Sequence, residues 1–190
     1  MARTNRFGQL PQREITETMG ADVGDGVGEQ PLTTHPIDCT MWYMNQVVQA
    51  HETTAAPPER VFALLADTES WPKWSGHDRA ELLHPGTPNR QGVGARRAFH
   101  VGRRTSVEDV VMFEPPHHLA YVLVSGLPVK GYRADVTVAA LDGGGAAIDW
   151  RSTFRPTWPG SGFLIRRALQ VFISRAARSL ARAAEAGDTV

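Results

Sequence analysis

The chain has 190 residues, of which 42% are hydrophobic and 21% are charged, so one packed domain is expected and global disorder is excluded. Twenty basic residues balance twenty acidic ones, and this zero net charge argues against a nucleic-acid coat protein. Cys39 is the single cysteine, which excludes an internal disulfide framework and a thiolate zinc cluster. We find no apolar run long enough to span a bilayer and no secretory leader, so a cytoplasmic protein is expected.

Residues 1–44 differ in composition from the rest of the chain. The glycine-rich run over 20–28 has no usable period and little apolar bulk, which predicts a disordered tail. Met44 directly precedes the first structured pattern, so the tail could also be a start-site artefact. The alternative is that Ile37 to Tyr43 packs as a short N-terminal element. The folded domain is expected over 45–185, with a short tail over 186–190.

The domain opens with a strand and two short helical segments. Val47 to Thr54 is rich in β-branched residues, which predicts a strand. Pro58 suits the first turn of a helix, and its apolar side would comprise Val61, Phe62, Leu64 and Leu65. Asp67 to Ser70 should end this helix and cap a second, very short turn over Trp71-Pro-Lys-Trp74.

Six more strands and a long helix follow. The predicted strands are Asp78 to Leu83, Ala95 to Val101, Thr105 to Phe113, Leu119 to Val124, Tyr132 to Leu141 and Ala146 to Phe154. Short links containing glycine or proline separate them, which predicts an antiparallel meander. The helix is predicted over Phe163 to Glu185, with the apolar stripe Ile165, Ala168, Leu169, Phe172, Ala176, Leu180 and Ala183. A separate basic face comprises Arg167, Arg175, Arg178 and Arg182. The stripe should be buried against the concave sheet.

The last hairpin allows a prediction of register. A three-residue loop, Gly143 to Gly145, would pair Asp142 with Ala146. The pairs that follow are Val138 with Trp150, Val136 with Ser152, and Ala134 with Phe154. These residues then share one face, which is core or cavity, while Arg133, Asp135 and Arg151 fall on the solvent face.

Several local motifs carry a family resemblance. They are Ala56-Pro-Pro-Glu59 followed by Val61-Phe-Ala-Leu-Leu-Ala-Asp67, then Trp71-Pro-Lys-Trp74, Gly92-Val-Gly94, Phe113-Glu-Pro-Pro116, Leu119-Ala-Tyr121, Ile148-Asp-Trp150 and Phe154-Arg-Pro156. In this order the chain resembles the polyketide cyclase/dehydrase branch of the START-like, Bet v 1-like (SRPBCC) superfamily. The resemblance implies an α+β helix-grip fold, in which a curved antiparallel sheet of about seven strands surrounds a long C-terminal helix. That superfamily includes aromatase/cyclases, lipid and sterol carriers and hormone receptors, so it implies a cavity rather than one reaction.

The resemblance implies a ligand cavity between the sheet and the last helix. No cofactor is predicted. The predicted ligand-binding residues are Trp74, Phe99, Val111, Tyr121, Leu123, Val136, Val138, Trp150, Ser152, Phe154, Leu169 and Phe172. The alternative is that these residues fill a solid core. Trp74 and Trp158 could close an entrance to the cavity or act as simple packing residues.

Proton transfer in such a cavity would need a base poised near neutral pH. The catalytic candidates are Glu108, Tyr121 and His100, although His100 also fits a partly exposed hairpin histidine. Five histidines, His77, His84, His100, His117 and His118, lack ligand spacing, so no metal is predicted. Neither GxGxxG nor GxxxxGK occurs, which argues against nucleotide binding.

Basic residues give a further hypothesis. Arg96, Arg97, Arg103 and Arg104 cluster on one predicted hairpin, and the last helix adds its basic face. These could contact RNA or an anionic membrane, or could be solvated surface.

Binding or carriage of a small hydrophobic ligand, such as a lipid, polyketide or aromatic metabolite, is the leading hypothesis. An aromatase/cyclase-type enzyme is the alternative, and a basic interaction module is the second alternative.

Overall fold

A computed structural model describes residues 45–187, so the expectations for residues 1–44, and for the last three residues of the predicted tail over 186–190, lie outside this range. The strands are β1 Gln46–Thr54, β2 Arg79–His84, β3 Arg96–Val101, β4 Arg104–Glu114, β5 His118–Ser125, β6 Val129–Ala140 and β7 Ala146–Pro156. They form an antiparallel sheet in the order β1-β7-β6-β5-β4-β3-β2. The helices are α1 Pro58–Ala66, a 3-10 helix Thr68–Lys73 and α2 Gly162–Ala186. The predicted α+β helix-grip fold, a curved antiparallel sheet with a long C-terminal helix, is confirmed.

The first helical segments form as the local sequence indicates. Pro58 occupies the start of α1 after an extended Pro57, where the missing N–H of proline costs nothing. The apolar side of α1 is buried at Val61, Phe62 and Leu65. Asp67 then starts the 3-10 helix, because its carboxylate accepts a hydrogen bond from the Glu69 N–H at 3.2 Å. The 3-10 helix contacts β2, and α1 contacts β6, β7 and α2.

The predicted register of the last hairpin is wrong by two residues. Val136 pairs with Trp150, Ala134 with Ser152 and Ala140 with Ala146, so the loop has five residues instead of three. The Leu141 N–H donates to the Gly145 carbonyl at 3.2 Å, which joins the first and last residues of this loop. Any side chain on Gly145 would collide with the Thr54 carbonyl oxygen at the end of β1. A slip of two residues keeps every side chain on its face, so the predicted inner and outer faces survive the error.

The two halves of helix α2 have different surroundings. Its second half packs on the sheet, where Ile173, Ala176, Ala177, Leu180, Ala181 and Ala184 are buried. Ile173 was absent from the predicted stripe, and the predicted Ala183 is only half-buried. Phe172 is exposed in part, because the first half of α2 faces a cavity instead of packed side chains. The Glu185 carboxylate fixes the far end by accepting hydrogen bonds from Thr54 Oγ1 and Ala55 N, each at 3.0 Å.

Candidate ligand-binding site

A cavity of about 400 Å³ lies between β3 to β6 and the first half of α2. Most of its wall is apolar or aromatic. The lining residues are Trp71, His77, Phe99, Val101, Arg104, Thr105, Ser106, Glu108, Tyr121, Gly126, Leu127, Pro128, Val129, Tyr132, Ile165, Ala168, Leu169 and Phe172. Two other depressions, of about 460 and 550 Å³, are shallow and lie on the outer surface near Pro115 and near Val93. The cavity under α2 is therefore the candidate site.

A buried arginine lies beside this cavity. The Arg97 side chain is 0% exposed, and its Nη2 donates to Glu108 Oε2 at 3.3 Å. Its guanidinium carbon is 5.4, 5.3 and 5.1 Å from the ring centroids of Trp71, Phe99 and Tyr121. Arg97 Nε and Nη1 have no hydrogen-bond partner among the described residues. Three aromatic faces and one carboxylate therefore replace water around this cation.

The prediction that Arg97 contributes to an exposed basic cluster is wrong. Arg97 is two residues before Phe99 on β3, so both side chains point to the inner face. That alternation was visible in the sequence and would have placed Arg97 inside. Its neighbour Arg96 points outward and pairs with Asp109 at 2.7 Å. Of the predicted basic cluster, Arg103 and Arg104 are exposed.

Glu108 is the acidic group of the cavity. Its side chain is 13% exposed and lies opposite Arg97 in the β3–β4 register. Burial raises the pKa of Glu108 to about 7, and the nearby Arg97 charge only partly offsets this rise. A carboxyl group with this pKa is present both as acid and as base near neutral pH, which suits proton exchange with a bound molecule.

Two tyrosines supply hydroxyl groups near Glu108. Burial raises the pKa of Tyr121 well above its ordinary value, and it raises that of Tyr132 as well, so both are neutral hydroxyls. The Tyr132 hydroxyl and Ser152 Oγ are 3.1 Å apart. The Trp150 Nε1 group lies close enough to Tyr121 to lower the pKa of its hydroxyl, which opposes the larger effect of burial. The two groups do not have the geometry of a hydrogen bond, and Trp150 Nε1 has no hydrogen-bond partner among the described residues. Tyr121 and Tyr132 therefore add neutral hydroxyl groups to the cavity wall that contains Glu108.

His77 is a lining residue that the sequence did not single out for the cavity. It is buried, and its Nδ1 lies 2.6 Å from Ser75 Oγ. Its ring contacts Phe99 and Phe172, with centroids 5.0 and 5.7 Å away. Burial lowers the pKa of His77, so the ring is neutral near pH 7. A single histidine after a short turn carries no periodic signal, which explains why the pattern did not reveal it.

The structure brings together only some of the predicted ligand-binding residues. Phe99, Tyr121, Leu169 and Phe172 line the cavity. Val136, Val138, Trp150, Ser152 and Phe154 are buried in the inner face but do not line it.

Trp74, Leu123 and Val111 do not line the cavity either. Trp74 is buried against Trp71, with centroids 4.7 Å apart, whereas Trp158 is exposed. Leu123 is half-buried opposite Glu108. Val111 sits at the β4 bulge and borders the outer depression with Arg96 and Asp109.

His100 lies away from the cavity as well. Phe99 points inward, so the next residue on β3 points to the outer face. There His100 Nε2 lies 2.8 Å from Glu81 Oε1, and its Nδ1 lies 2.9 Å from Thr105 Oγ1. These contacts fit the hairpin-histidine alternative and separate His100 from Glu108 and Tyr121.

Residues 45–187 contain no feature of a metal centre or of a membrane-spanning helix. Within this range no three His, Cys, Asp or Glu side chains come together as metal ligands. The helices described there include none that is both long and apolar enough to cross a bilayer.

The fold is shared with proteins of known structure. Solved structures with the same fold include a START superfamily protein from Mycobacterium smegmatis, with 14% identity and a TM-score of 0.64 over 73% of this chain and 97% of that one. XoxI from Bacillus cereus has 17% identity and a TM-score of 0.61 over 77% and 99%. A Thalictrum norcoclaurine synthase, solved with a transition-state analogue, has 12% identity and a TM-score of 0.60 over 77% and 98%.

At these identities the solved structures show the fold alone. A search of curated proteins found no match to the sequence. The profile of the family described as "Polyketide cyclase / dehydrase and lipid transport" matches residues 45–185, about three quarters of the chain. The chain therefore belongs to the polyketide cyclase/dehydrase and lipid transport family.

Proposed function

We propose that this protein binds and carries one small hydrophobic molecule in the cavity between β3 to β6 and α2. The single observation that supports this most is an apolar and aromatic cavity of about 400 Å³ that has one buried carboxyl group in its wall. Ligand sites in proteins are mostly apolar with a few placed polar groups, which is the pattern here. The apolar wall supplies affinity, and the polar groups set orientation.

The size of the cavity narrows the ligand class. Its volume is at the lower end of the roughly 300–1,000 Å³ that drug-sized ligands occupy. A fused-ring aromatic metabolite, a short polyketide or a single acyl chain suits this space better than a lipid with two chains. Trp71, Phe99 and Phe172 offer ring faces and edges to such a ligand.

The polar side chains of the cavity wall indicate which functional groups the ligand carries. Glu108 accepts hydrogen bonds when ionised, and the neutral Tyr121 and Tyr132 hydroxyls can donate. A ligand with a phenol or hydroxyl group directed at Glu108 would satisfy the carboxylate without adding a charge. A ligand with two anionic groups would instead face a buried carboxylate, which is unfavourable.

Filling the cavity tests this proposal. Ala168→Trp places an indole at a lining position of α2 that is not part of the packed core, whereas Arg175→Trp places the same group on the exposed side of α2. We expect native mass spectrometry to show a small adduct on the wild type and on the Arg175 variant but not on the Ala168 variant. Titration with a fluorescent naphthalene probe should show at least tenfold weaker binding for Ala168→Trp alone. Equal probe binding by both variants would contradict the proposal.

A second candidate function is proton-transfer catalysis of the cyclase or dehydratase type. The observation that favours it is Glu108, which has a pKa of about 7 and lies in the cavity wall with Tyr121. Under this hypothesis Glu108 takes a proton from the bound substrate, and Tyr121 donates a hydrogen bond to the developing oxyanion.

Two conservative variants test the hypothesis of proton-transfer catalysis. Once a bound polyketide or aromatic compound is identified, Glu108→Gln and Tyr121→Phe should abolish its turnover while binding persists. Unchanged turnover in both variants would leave carriage as the function and remove the catalytic role.

A further inference from the structure

Large apolar side chains are exposed together where β7 joins α2. Trp158, Phe163 and Leu164 are 62%, 66% and 69% exposed. Trp158 lies in a turn that Ser161 closes, since the Ser161 hydroxyl donates to the Trp158 carbonyl at 2.7 Å. Phe163 and Leu164 occupy the first turn of α2. Contiguous exposed apolar residues of this size are typical of interaction surfaces.

This turn lies next to the mouth of the cavity. The Thr157 N–H donates to the Pro128 carbonyl at 3.1 Å, which joins the turn to the β5–β6 loop. Leu127 in that loop and Val101 on the β3–β4 hairpin both line the cavity and are both exposed. We refer to Val101, Leu127, Trp158, Phe163 and Leu164 as the mouth surface.

Exposed arginines flank the mouth surface. Arg103 and Arg104 lie on the β3–β4 hairpin, and Arg166 and Arg167 directly follow the apolar first turn of α2. None of these four forms an ion pair with a residue in the range 45–187. The first turn of α2 contains no acidic residue, so nothing within it offsets these charges. Apolar and aromatic residues bordered by cations match an anionic lipid surface in both polarity and charge.

We propose that the mouth surface docks on an anionic lipid bilayer. Trp158, Phe163 and Leu164 enter the boundary between headgroups and acyl chains, where tryptophan is favoured because its ring is apolar and its N–H is polar. The four arginines contact lipid phosphates and carboxylates. Docking in this orientation turns the cavity mouth toward the apolar phase, so a hydrophobic molecule could pass between bilayer and cavity without crossing water. This proposal does not depend on which molecule the cavity holds.

Vesicle sedimentation of the full chain tests the docking. The probe is vesicles of phosphatidylcholine containing phosphatidylserine, compared with vesicles of phosphatidylcholine alone, at low salt. We expect binding to the anionic vesicles that weakens as salt is raised, since screening reduces the arginine contribution. Phe163→Ser with Leu164→Ser should lower the partition coefficient at least tenfold. Arg166→Gln with Arg167→Gln should lower it about 30-fold, the equivalent of about 1 kcal/mol for each arginine.

A matched control uses exposed apolar residues elsewhere. Leu83 and Val93 are also exposed but lie on β2 and on the loop that follows it. Leu83→Ser with Val93→Ser should leave the partition coefficient within twofold of the wild type. Both double variants at the mouth are at the surface, so circular dichroism and the melting temperature should match the wild type and separate lost docking from lost folding.

Three results would overturn the proposal. The first is no sedimentation of the wild type with anionic vesicles, and the second is an equal loss in the control variant. The third is a concentration-dependent dimer, or binding to single-stranded RNA, that Phe163→Ser with Leu164→Ser abolishes while vesicle binding is unchanged. That outcome would assign the mouth surface to a second copy of the chain or to nucleic acid.

Discussion

Replacing Glu108 with glutamine should remove a specific pH dependence of stability. Burial raises the pKa of Glu108 from 4.5 to about 7 in the folded state, while in the unfolded state the carboxyl group keeps its ordinary pKa. Above pH 4.5 the unfolded chain therefore releases this proton more readily than the folded one. The contribution of Glu108 to the free energy of unfolding therefore falls as pH rises from 4.5 to 7 and is constant above pH 7.

The size of the effect follows from the change in pKa. A rise from 4.5 to about 7 corresponds to about 3 kcal/mol, at about 1.36 kcal/mol for each unit. The free energy of unfolding of Glu108→Gln relative to the wild type should therefore increase by about 3 kcal/mol between pH 4 and pH 8. Other titrating groups, among them Asp109 and His77, occur in both proteins and cancel in this difference.

Urea unfolding followed by circular dichroism at pH 4, 5, 6, 7 and 8 measures this difference. Glu114→Gln removes an exposed carboxyl group from the same strand and is the control for loss of a charge. Below pH 7 Glu108 is mostly protonated in the folded wild type, so glutamine resembles it in charge there, and the interaction of ionised Glu108 with Arg97 is already part of the pKa of about 7. A difference that stays constant from pH 4 to pH 8 would refute the reasoning about Glu108.

Three further predictions concern the core and the buried charges. Arg97→Met should raise the pKa of Glu108 above 7, because Arg97 is the cation that lowers it, and carbon-13 NMR of labelled glutamate would show the shift. Carbon-13 NMR of labelled histidine should give His77 a pKa below 6.5, because the ring is desolvated; a value of 6.5 or higher would contradict its burial. Ile173→Ala should lower the free energy of unfolding by about 2–5 kcal/mol, since its side chain is fully buried, while Val171→Ala on the exposed face should change it by less than about 0.5 kcal/mol.

Element order and strand faces could be read from the sequence because they depend on local periodicity. Each predicted strand overlaps an observed one, and the predicted last helix, Phe163 to Glu185, differs from α2 by one residue at each end. The inner face of β6 and β7 was also predicted correctly despite the wrong pairing. Alternation has a period of two, so a slip of two residues preserves faces and changes only partners.

The candidate site was predicted in part, for a different physical reason. Phe99, Leu169 and Phe172 were identified as lining residues because large apolar side chains on inner faces must meet a cavity or a core. The sequence pattern could not separate these two cases, so Val136, Val138 and Phe154 were assigned to the cavity although they lie in packed core. Whether α2 touches the sheet or stands away from it at a given turn depends on the curvature of the whole sheet.

By itself the sequence determined the order of the elements and the inner and outer faces of the last hairpin, and its family resemblance implied the helix-grip fold and a cavity near Glu108. Alternation with Phe99 places Arg97 on the inner face of β3, but tertiary structure decided that a charge is stable there, because Glu108, Trp71 and Tyr121 converge on it from three other elements. It also decided the raised pKa of Glu108, which comes from removal of water by residues distant in sequence. Local patterns record which side of an element is apolar, but desolvation is a property of the assembled interior.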